Sequence, residues 1–463
     1  MKALRLSARW VLPGEGEPIA DGAVLVLPEG RIAAVGADAA VPRPAGCDAV
    51  ALGDAALMPA LVNAHSHLEL TGLRGLVRDL PFLDWLRTIR AIKDALDAEA
   101  FRASARWGVL EGFAAGIATH GDSGTSGQGA AALAALGARG VAYQEVIGPD
   151  PSRAGAVLAA VERALDALGA CRSERVSVGI SPHAPYTVSD RLLEGAAALA
   201  AARGLKVAMH VAESPEERAL VTGARGPFAD YLRSRGIPVE PRGASTVAWL
   251  ERAGLLDLRP VLVHCVTADQ GDFERARRHG AAVAHCPSSN AALGHGRADL
   301  AAMRRAGVTV GLGTDSVAAG GRLDLFAEAR LAALGLAGTG SAAEGGGRLS
   351  PREMLRLASA GGAAALGLAG VGALAPGAWG DLAAVGLDSP ALSAAADVET
   401  AVAWGATASD VVLTAVAGRV VYRRGAWPGV DLAAERTALE RAAGVAAAAR
   451  ARYLRPEDMA RQA

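Results

Sequence analysis

The stretch Leu57-Met58-Pro59-Ala60-Leu61-Val62 runs without a charge into Asn63-Ala64-His65-Ser66-His67, and its reading decides the fold. Apolar residues leading to a polar tip read as a buried strand, expected over 57–63. Histidines at i and i+2 on extended chain point to the same side. His65 and His67 can therefore both reach one cation if that side faces a pocket. A lone His-x-His is more often two ordinary surface or satisfied histidines. What lifts this pair is the pattern downstream, where single His and Asp residues each end their own apolar run.

Those runs fall at 116–121, 139–147, 176–182, 206–212, 261–266, 281–285 and 308–314. Ala-rich helical stretches such as 100–115, 152–170 and 190–203 lie between them. Eight strands alternating with helices predict an α/β fold, a (β/α)8 TIM barrel over 57–370. A doubly wound sheet is the alternative, but no Gly-rich dinucleotide fingerprint follows an early strand. Both ends of the chain are strand-rich. Ala23–Leu27, the Pro28-Glu29-Gly30 turn and Arg31–Gly36 read as a hairpin, and strands are expected at 381–385, 411–416 and 418–422. Residues 1–56 and 371–425 are thus expected to form a small β-sandwich domain from both termini. The segment 426–463 should carry a C-terminal helix, over about 431–453. The Ala- and Gly-rich segment 332–348 reads as loop.

Composition narrows the function. The chain has 463 residues, 51% hydrophobic and 21% charged, with a formal net charge of −1. That balance gives no support for nucleic-acid binding. No apolar run of membrane-spanning length is free of charge or Gly, and the N-terminus lacks a signal-peptide core, so no membrane partner and a cytoplasmic location are expected. Cys47, Cys171, Cys265 and Cys286 form no CxxC pair, which argues against a disulfide scaffold or a cysteine zinc site.

The strand ends supply a constellation. After His65 and His67 come Ser181-Pro182-His183-Ala184-Pro185-Tyr186, Met209-His210-Val211-Ala212-Glu213, Val263-His264-Cys265, His285-Cys286-Pro287-Ser288-Ser289-Asn290 and Gly313-Thr314-Asp315-Ser316. In a barrel the carboxyl ends of all strands meet on one face, so distant residues share one site. Six of the nine histidines fall at these ends. Imidazoles with a carboxylate suit one divalent metal ion, zinc first and iron or manganese next. His65, His67, His210 and Asp315 are the expected ligands. Such an ion lowers the pKa of a water to about 7. Glu213, three residues past His210, is the expected general acid/base. Asp315 can also accept a hydrogen bond from the water, and His264 is either a fifth ligand or a group that orients the water. His120 reads as a satisfied second-strand residue, His279 and His295 as exposed. Cys265 and Cys286 read as packed, unreactive thiols.

Taken in order, these motifs resemble the amidohydrolase superfamily, in its branch of aminohydrolases and chlorohydrolases acting on purine, pyrimidine and triazine rings. Leu73-Arg74-Gly75, Asp79-Leu80-Pro81-Phe82-Leu83-Asp84-Trp85-Leu86 and Gly377-Ala378-Trp379-Gly380-Asp381-Leu382 extend the match, the last with Gly380 where the family has Ala. The resemblance implies a single metal on the four ligands named, and the lack of a Lys in 176–182 agrees with one ion. It also implies water and a small molecule, an adenine-type nucleoside, as partners; dimers are common in this family, which leaves a homodimer open. Among deaminases of S-adenosylhomocysteine and methylthioadenosine, the counterpart of His183 contacts the nucleoside. Their Trp-Pro stretch ending in a ribose-binding Glu is replaced here by Ile89-Arg90-Ala91-Ile92-Lys93-Asp94. The opening His67-Leu68-Glu69-Leu70 instead resembles the 6-aminodeoxyfutalosine deaminases of the futalosine route to menaquinone. On that reading Glu69 binds a ribose hydroxyl or ring nitrogen, or else forms a salt bridge to Arg74 or Arg78. An arginine such as Arg74 or Arg87 would pair with the substrate benzoate. Rivals on the same metal site are a guanine, cytosine or triazine deaminase and a chlorohydrolase. An imidazolonepropionase-like hydrolase is further off, and an inactive barrel used as a scaffold is the non-enzymatic alternative.

Overall fold

The structure, a computed structural model, describes residues 2–337 and 347–454. Strands β1 (Leu4–Val11), β2 (Ile19–Val26), β3 (Ile32–Ala37), β4 (Asp48–Ala51) and β5 (Ala55–Pro59) open the chain. Barrel strands follow as β6 (Leu61–Ser66), β7 (Ile117–Gly124), β8 (Arg139–Val146), β9 (Val176–Pro182), β10 (Lys206–Val211), β11 (Val261–His264), β12 (Ala282–His285) and β13 (Thr309–Leu312). The chain returns to the first sheet with β14 (Leu382–Gly386), β15 (Val411–Val416) and β16 (Arg419–Arg423).

The expected barrel is present. Strands β6 to β13 pair in sequence order and in parallel, with helices between them. Closure occurs at the polar tip Asn63–His67. Thr314 and Asp315 each donate a backbone N–H to the His65 carbonyl at 3.1 Å. The Asn63 side chain donates to Thr314 Oγ1 at 2.8 Å and accepts from Thr314 N at 3.1 Å. The last strand therefore reaches the first through residues beside the metal-ligand candidates. Gly313 permits the approach, since a Cβ there would lie 2.9 Å from Cys286 Sγ and 3.0 Å from His65 Cβ.

The β domain from both termini is present as one eight-stranded sheet, in the order β16-β15-β14-β5-β1-β2-β3 with β4 on β1. Gly30, at φ 87°, makes the β2–β3 turn, donating to the Leu27 carbonyl at 2.9 Å. Here one expectation is corrected. The run 57–63 is not one strand: Pro59 ends β5, which pairs with β14 in the terminal sheet, and Leu61 starts β6 in the barrel. Both pieces are buried throughout, and burial on both faces removes the alternation that would have marked the break. The Asp381 of the end motif clamps the two sheets. It pairs with buried Arg139 of β8 at 2.5 Å and accepts from Ala417 N at 2.7 Å.

The expected helices lie at Ala98–Ala114, Ala154–Leu168 and Asp190–Arg203. The C-terminal helix, Leu432–Tyr453, packs on Ala98–Ala114 through an Arg106–Glu435 ion pair. Of the segment 332–348, expected as loop, residues up to Ala337 complete the helix Leu325–Ala337, and 338–346 lie outside the described residues, as does 455–463. Among the described residues no helix is long and apolar enough to cross a membrane.

Candidate active site

The four expected ligands converge. His67 Nε2 lies 3.3 Å from His210 Nε2 and 3.4 Å from Asp315 Oδ1, and His65 Nε2 lies 3.4 Å from the same oxygen. One donor atom from each of the four falls within 4.8 Å of the others. Ligands held about 2.0–2.1 Å from a tetrahedral zinc sit roughly 3.3–3.4 Å apart, so the spacing fits such an ion. His65 Nε2 is also buried with no hydrogen-bond partner among the described residues, as a nitrogen reserved for a metal would be. Burial pushes His65 down to about 3, which keeps the imidazole neutral. Burial would raise the Asp315 carboxyl, but the His65 imidazole against its Oδ1 and the other surrounding imidazoles hold it well below the usual carboxylate range.

The surroundings fix the candidate ligands. His210 Nδ1 faces the His183 carbonyl at 2.8 Å, which presents Nε2 to the centre. Ser289 donates to Asp315 Oδ2 at 2.5 Å. His264 Nδ1 faces Asn290 Oδ1 at 2.8 Å. The turn at 285–290 thus acts by orienting His264 and Asp315, while His285 lies buried outside the lining of the central cavity. The backbone is strained at these strand ends: Ala212, His264, Cys265 and Asp315 all have positive φ, at 51°, 75°, 54° and 54°. Cys265 and Cys286 are buried and burial pushes both thiols up, in keeping with packed, unreactive groups.

Glu213 stands at the mouth of β10 with its backbone fixed. Its N–H, like that of Ala212, donates to buried Glu217, at 2.9 and 2.7 Å. Tyr186 donates its hydroxyl to Glu213 Oε2 at 2.9 Å. Oε1 lies between His264 Nε2 at 3.6 Å and His295 Nε2 at 3.4 Å. Burial would raise this carboxyl, but the neighbouring imidazoles bring it down to about 2. His295 therefore corrects the sequence reading: expected exposed, it is buried, with its ring edge-on to Phe82 at 4.3 Å. The signal was its setting between Gly294 and Gly296, whose φ values of 74° and 101° fold the loop back inward. His120 is buried as expected but not satisfied, since neither ring nitrogen has a hydrogen-bond partner among the described residues. Burial holds it neutral, down to about 3. His279 is half-buried against Asp257 and Glu251.

A cavity of about 440 Å³ opens above the four ligands, lined in part by His67, His183, His210, Glu213, His264 and Asp315. Phe82, Trp85 and Tyr186 give it apolar walls, and Arg87, Arg90 and Arg235 also line it. Arg74 does not; it pairs with Glu111 and donates to the Gly321 carbonyl at 2.5 Å. Glu69, expected at the substrate, stands behind the wall. Its oxygens accept from Thr125 N, Thr125 Oγ1, Ser126 N and Ser126 Oγ, and its salt bridge is to Lys93 at 3.0 Å, not to Arg74 or Arg78. Lys93 lies 3.8 Å from a second buried carboxylate, Glu145 of β8, and both line the cavity. Neither was singled out from the sequence, because strand β8 ends without a histidine.

The amidohydrolase family pattern matches residues 56–421. A 5-methylthioadenosine/S-adenosylhomocysteine deaminase of Nitratidesulfovibrio vulgaris is 32% identical over 424 residues, covering 89% of this chain and 90% of that protein. An adenosine deaminase from Xanthomonas campestris, solved with bound zinc, superposes with a TM-score of 0.81 at 28% identity, covering 96% of this chain and 98% of that one. The aminofutalosine deaminase of Helicobacter pylori shares the fold, with a TM-score of 0.72 at 19% identity over 91% of this chain and all of that one (100%).

Proposed function

Because the chain belongs to the amidohydrolase family and is a hydrolase acting on carbon–nitrogen bonds, we propose that it removes the 6-amino group of an adenine-type nucleoside. Water adds at the amino-bearing ring carbon and ammonia leaves. The observation that carries this is the coincidence of four ligand atoms at metal-ligand spacing with Glu213 at the mouth of the same cavity. His65, His67, His210 and Asp315 would hold one divalent cation, zinc first. When bound, the ion supplies Lewis acidity and a water acidic enough to react near neutral pH.

The chain's own groups handle the protons. Glu213 Oε1 takes a proton from the water and delivers it toward the substrate, while the Tyr186 hydroxyl keeps Oε2 occupied. His264, fixed by Asn290, faces the same space and stabilises charge on the attacked carbon's substituent. His183 lines the cavity beside the ligands and contacts the base. Glu69, behind the wall, holds Lys93 in place at the cavity.

For the finer substrate we propose 6-aminodeoxyfutalosine. Arg87, Arg90 and Arg235 line a cavity that Phe82, Trp85 and Tyr186 wall in part, which suits a 5′ substituent ending in a benzoate. A second reading, S-adenosylhomocysteine or methylthioadenosine, is favoured by the 32% identical relative named for them. An ammonia-release screen of metal-loaded protein against 6-aminodeoxyfutalosine, S-adenosylhomocysteine, methylthioadenosine, adenosine and guanine tests both. The highest kcat/KM on 6-aminodeoxyfutalosine supports the first reading. Preference for a sulfur-bearing nucleoside replaces it with the second, and release from guanine alone overturns both.

A further inference from the structure

We propose that the protein carries a second ligand site, for a small monocarboxylate with an apolar body, in a cavity behind the contact between Asn290 and His264. This cavity measures about 320 Å³ and shares no lining residue with the one above the candidate metal ligands. It lies between the end of β12, the short helix Pro287–Ala292, the loop after His295 and the helix Leu325–Ala337. Pro287, Leu300 and Ala332 are among its apolar walls. Leu331 and Leu334 also line it, and they are 41% and 57% exposed on one face of their helix. A cavity of about 150 Å³ with aliphatic walls is enough to hold benzene, so this one has room for two fused rings.

Arg297 supplies the charge. It lines the cavity, and its stem crosses the helix Leu325–Ala337 at Gly335, where a Cβ would lie 3.0 Å from Arg297 Cδ. Among the described residues no carboxylate lies within ion-pair distance of its guanidinium. Its neighbours Arg304 and Arg305 are each paired, with Glu353 at 2.9 Å and Asp299 at 3.9 Å. An unpaired guanidinium beside apolar walls fits one carboxylate carried on an apolar body. A phosphate or dicarboxylate brings more charge than one arginine offsets. A metal ion is the wrong occupant too, because no carboxylate or thiol lines the space.

Asn290 connects this cavity to the chemistry. Its Oδ1 faces His264 Nδ1 at 2.8 Å, and its carbonyl accepts from His295 N at 2.9 Å. Those two imidazoles flank Glu213 Oε1, at 3.6 and 3.4 Å. Asn290 Nδ2 is buried with no hydrogen-bond partner among the described residues, so its side-chain amide is held from one side only. That nitrogen is too enclosed for a ligand to touch. A ligand acts on Asn290 by packing, since filling the space behind it restricts how the residue can sit. Occupancy is therefore felt at His264 and His295.

The test is binding, so it does not depend on turnover. Calorimetry on the metal-loaded full chain compares 2-naphthoate with neutral 2-naphthamide for the wild type, Arg297→Gln, Ala332→Phe and Arg235→Gln. Arg297 is exposed, so its replacement leaves the core intact, whereas Ala332→Phe fills the cavity. The wild type should bind one naphthoate per chain, at least tenfold tighter than the amide. Arg297→Gln should lose about tenfold for naphthoate and less than twofold for the amide. Ala332→Phe should lose both ligands, and Arg235→Gln, altered in the active cavity, neither. With isotope-labelled histidine, naphthoate should shift the His264 and His295 ring signals of the wild type by NMR. Arg297→Gln binding naphthoate like the wild type, or a wild type binding neither ligand, would overturn the proposal. So would loss of naphthoate in Arg235→Gln, which would put it in the active cavity, or ring signals unmoved at saturation. A protein that meets every expectation but releases no ammonia from any adenine nucleoside would sink the deaminase reading and leave this one standing.

Discussion

Two buried polar clusters border the same cavity and are satisfied in opposite ways. Around Glu69, Lys93 and Glu145, one cation sits between two carboxylates, and Glu69 collects four further donors from Thr125 and Ser126. Around Glu213, three imidazole nitrogens are buried with no hydrogen-bond partner among the described residues: Nε2 of His65, His264 and His295. Unsatisfied buried nitrogens are costly, and a chain keeps them where something else completes them. The first cluster is held by its own residues except at Glu145 Oε1. The second is built to be completed from outside, by an ion, water and substrate. That difference separates support from chemistry.

Breaking the second cluster should have the largest effects. His210→Ala or Asp315→Ala should abolish both bound metal, measured by elemental analysis, and ammonia release. Retention of both by either variant would remove the site from the account. Glu213→Gln should keep the metal and lower kcat by about 10²–10⁴-fold, the usual worth of a positioned acid/base. Breaking the first cluster should act on stability before chemistry. Lys93→Met strands two buried carboxylates and should lower unfolding free energy by about 3–5 kcal/mol in denaturant titration. If Lys93→Met is as stable as wild type but inactive, the division between the clusters is wrong.

A smaller effect sharpens the boundary. His295→Asn should reduce kcat about tenfold with KM nearly unchanged, because His295 touches Glu213 and does not line the cavity. The smallest is a pH effect on Glu217, which holds the backbone of Ala212 and Glu213. Burial raises its carboxyl to about 7 from 4.5. Between those values the folded state holds a proton that the unfolded state has lost, so this group's contribution to stability falls as pH rises through that window. Glu217→Gln should flatten that part of the stability–pH curve relative to wild type, measured by thermal unfolding in a pH series.

The convergence of His65, His67, His210 and Asp315 was legible because strand ends in a barrel meet, and the four residues end three apolar runs. The place of Glu213 on the cavity was legible by its distance from His210. His295 was not, since it stands on a loop whose inward fold depends on two glycines and on the 2.9 Å hydrogen bond from its own N–H to the Asn290 carbonyl. Lys93 was hidden as well. It is the last residue of the helix Phe82–Lys93, where a lysine would ordinarily be a solvated, dipole-matched end. Its ion pairs with Glu69 and Glu145, which are far from it in sequence, turn it inward. The break between β5 and β6 was invisible because both strands are buried on both faces.

The central claim is that this cavity runs a metal-dependent deamination. The most direct measurement is ammonia release from an adenine nucleoside by one protein preparation, first stripped with a chelator and then reloaded with zinc. The account predicts no release after stripping and recovery at about one zinc per chain. Release undiminished in the stripped protein, or none after stoichiometric reloading, would contradict it.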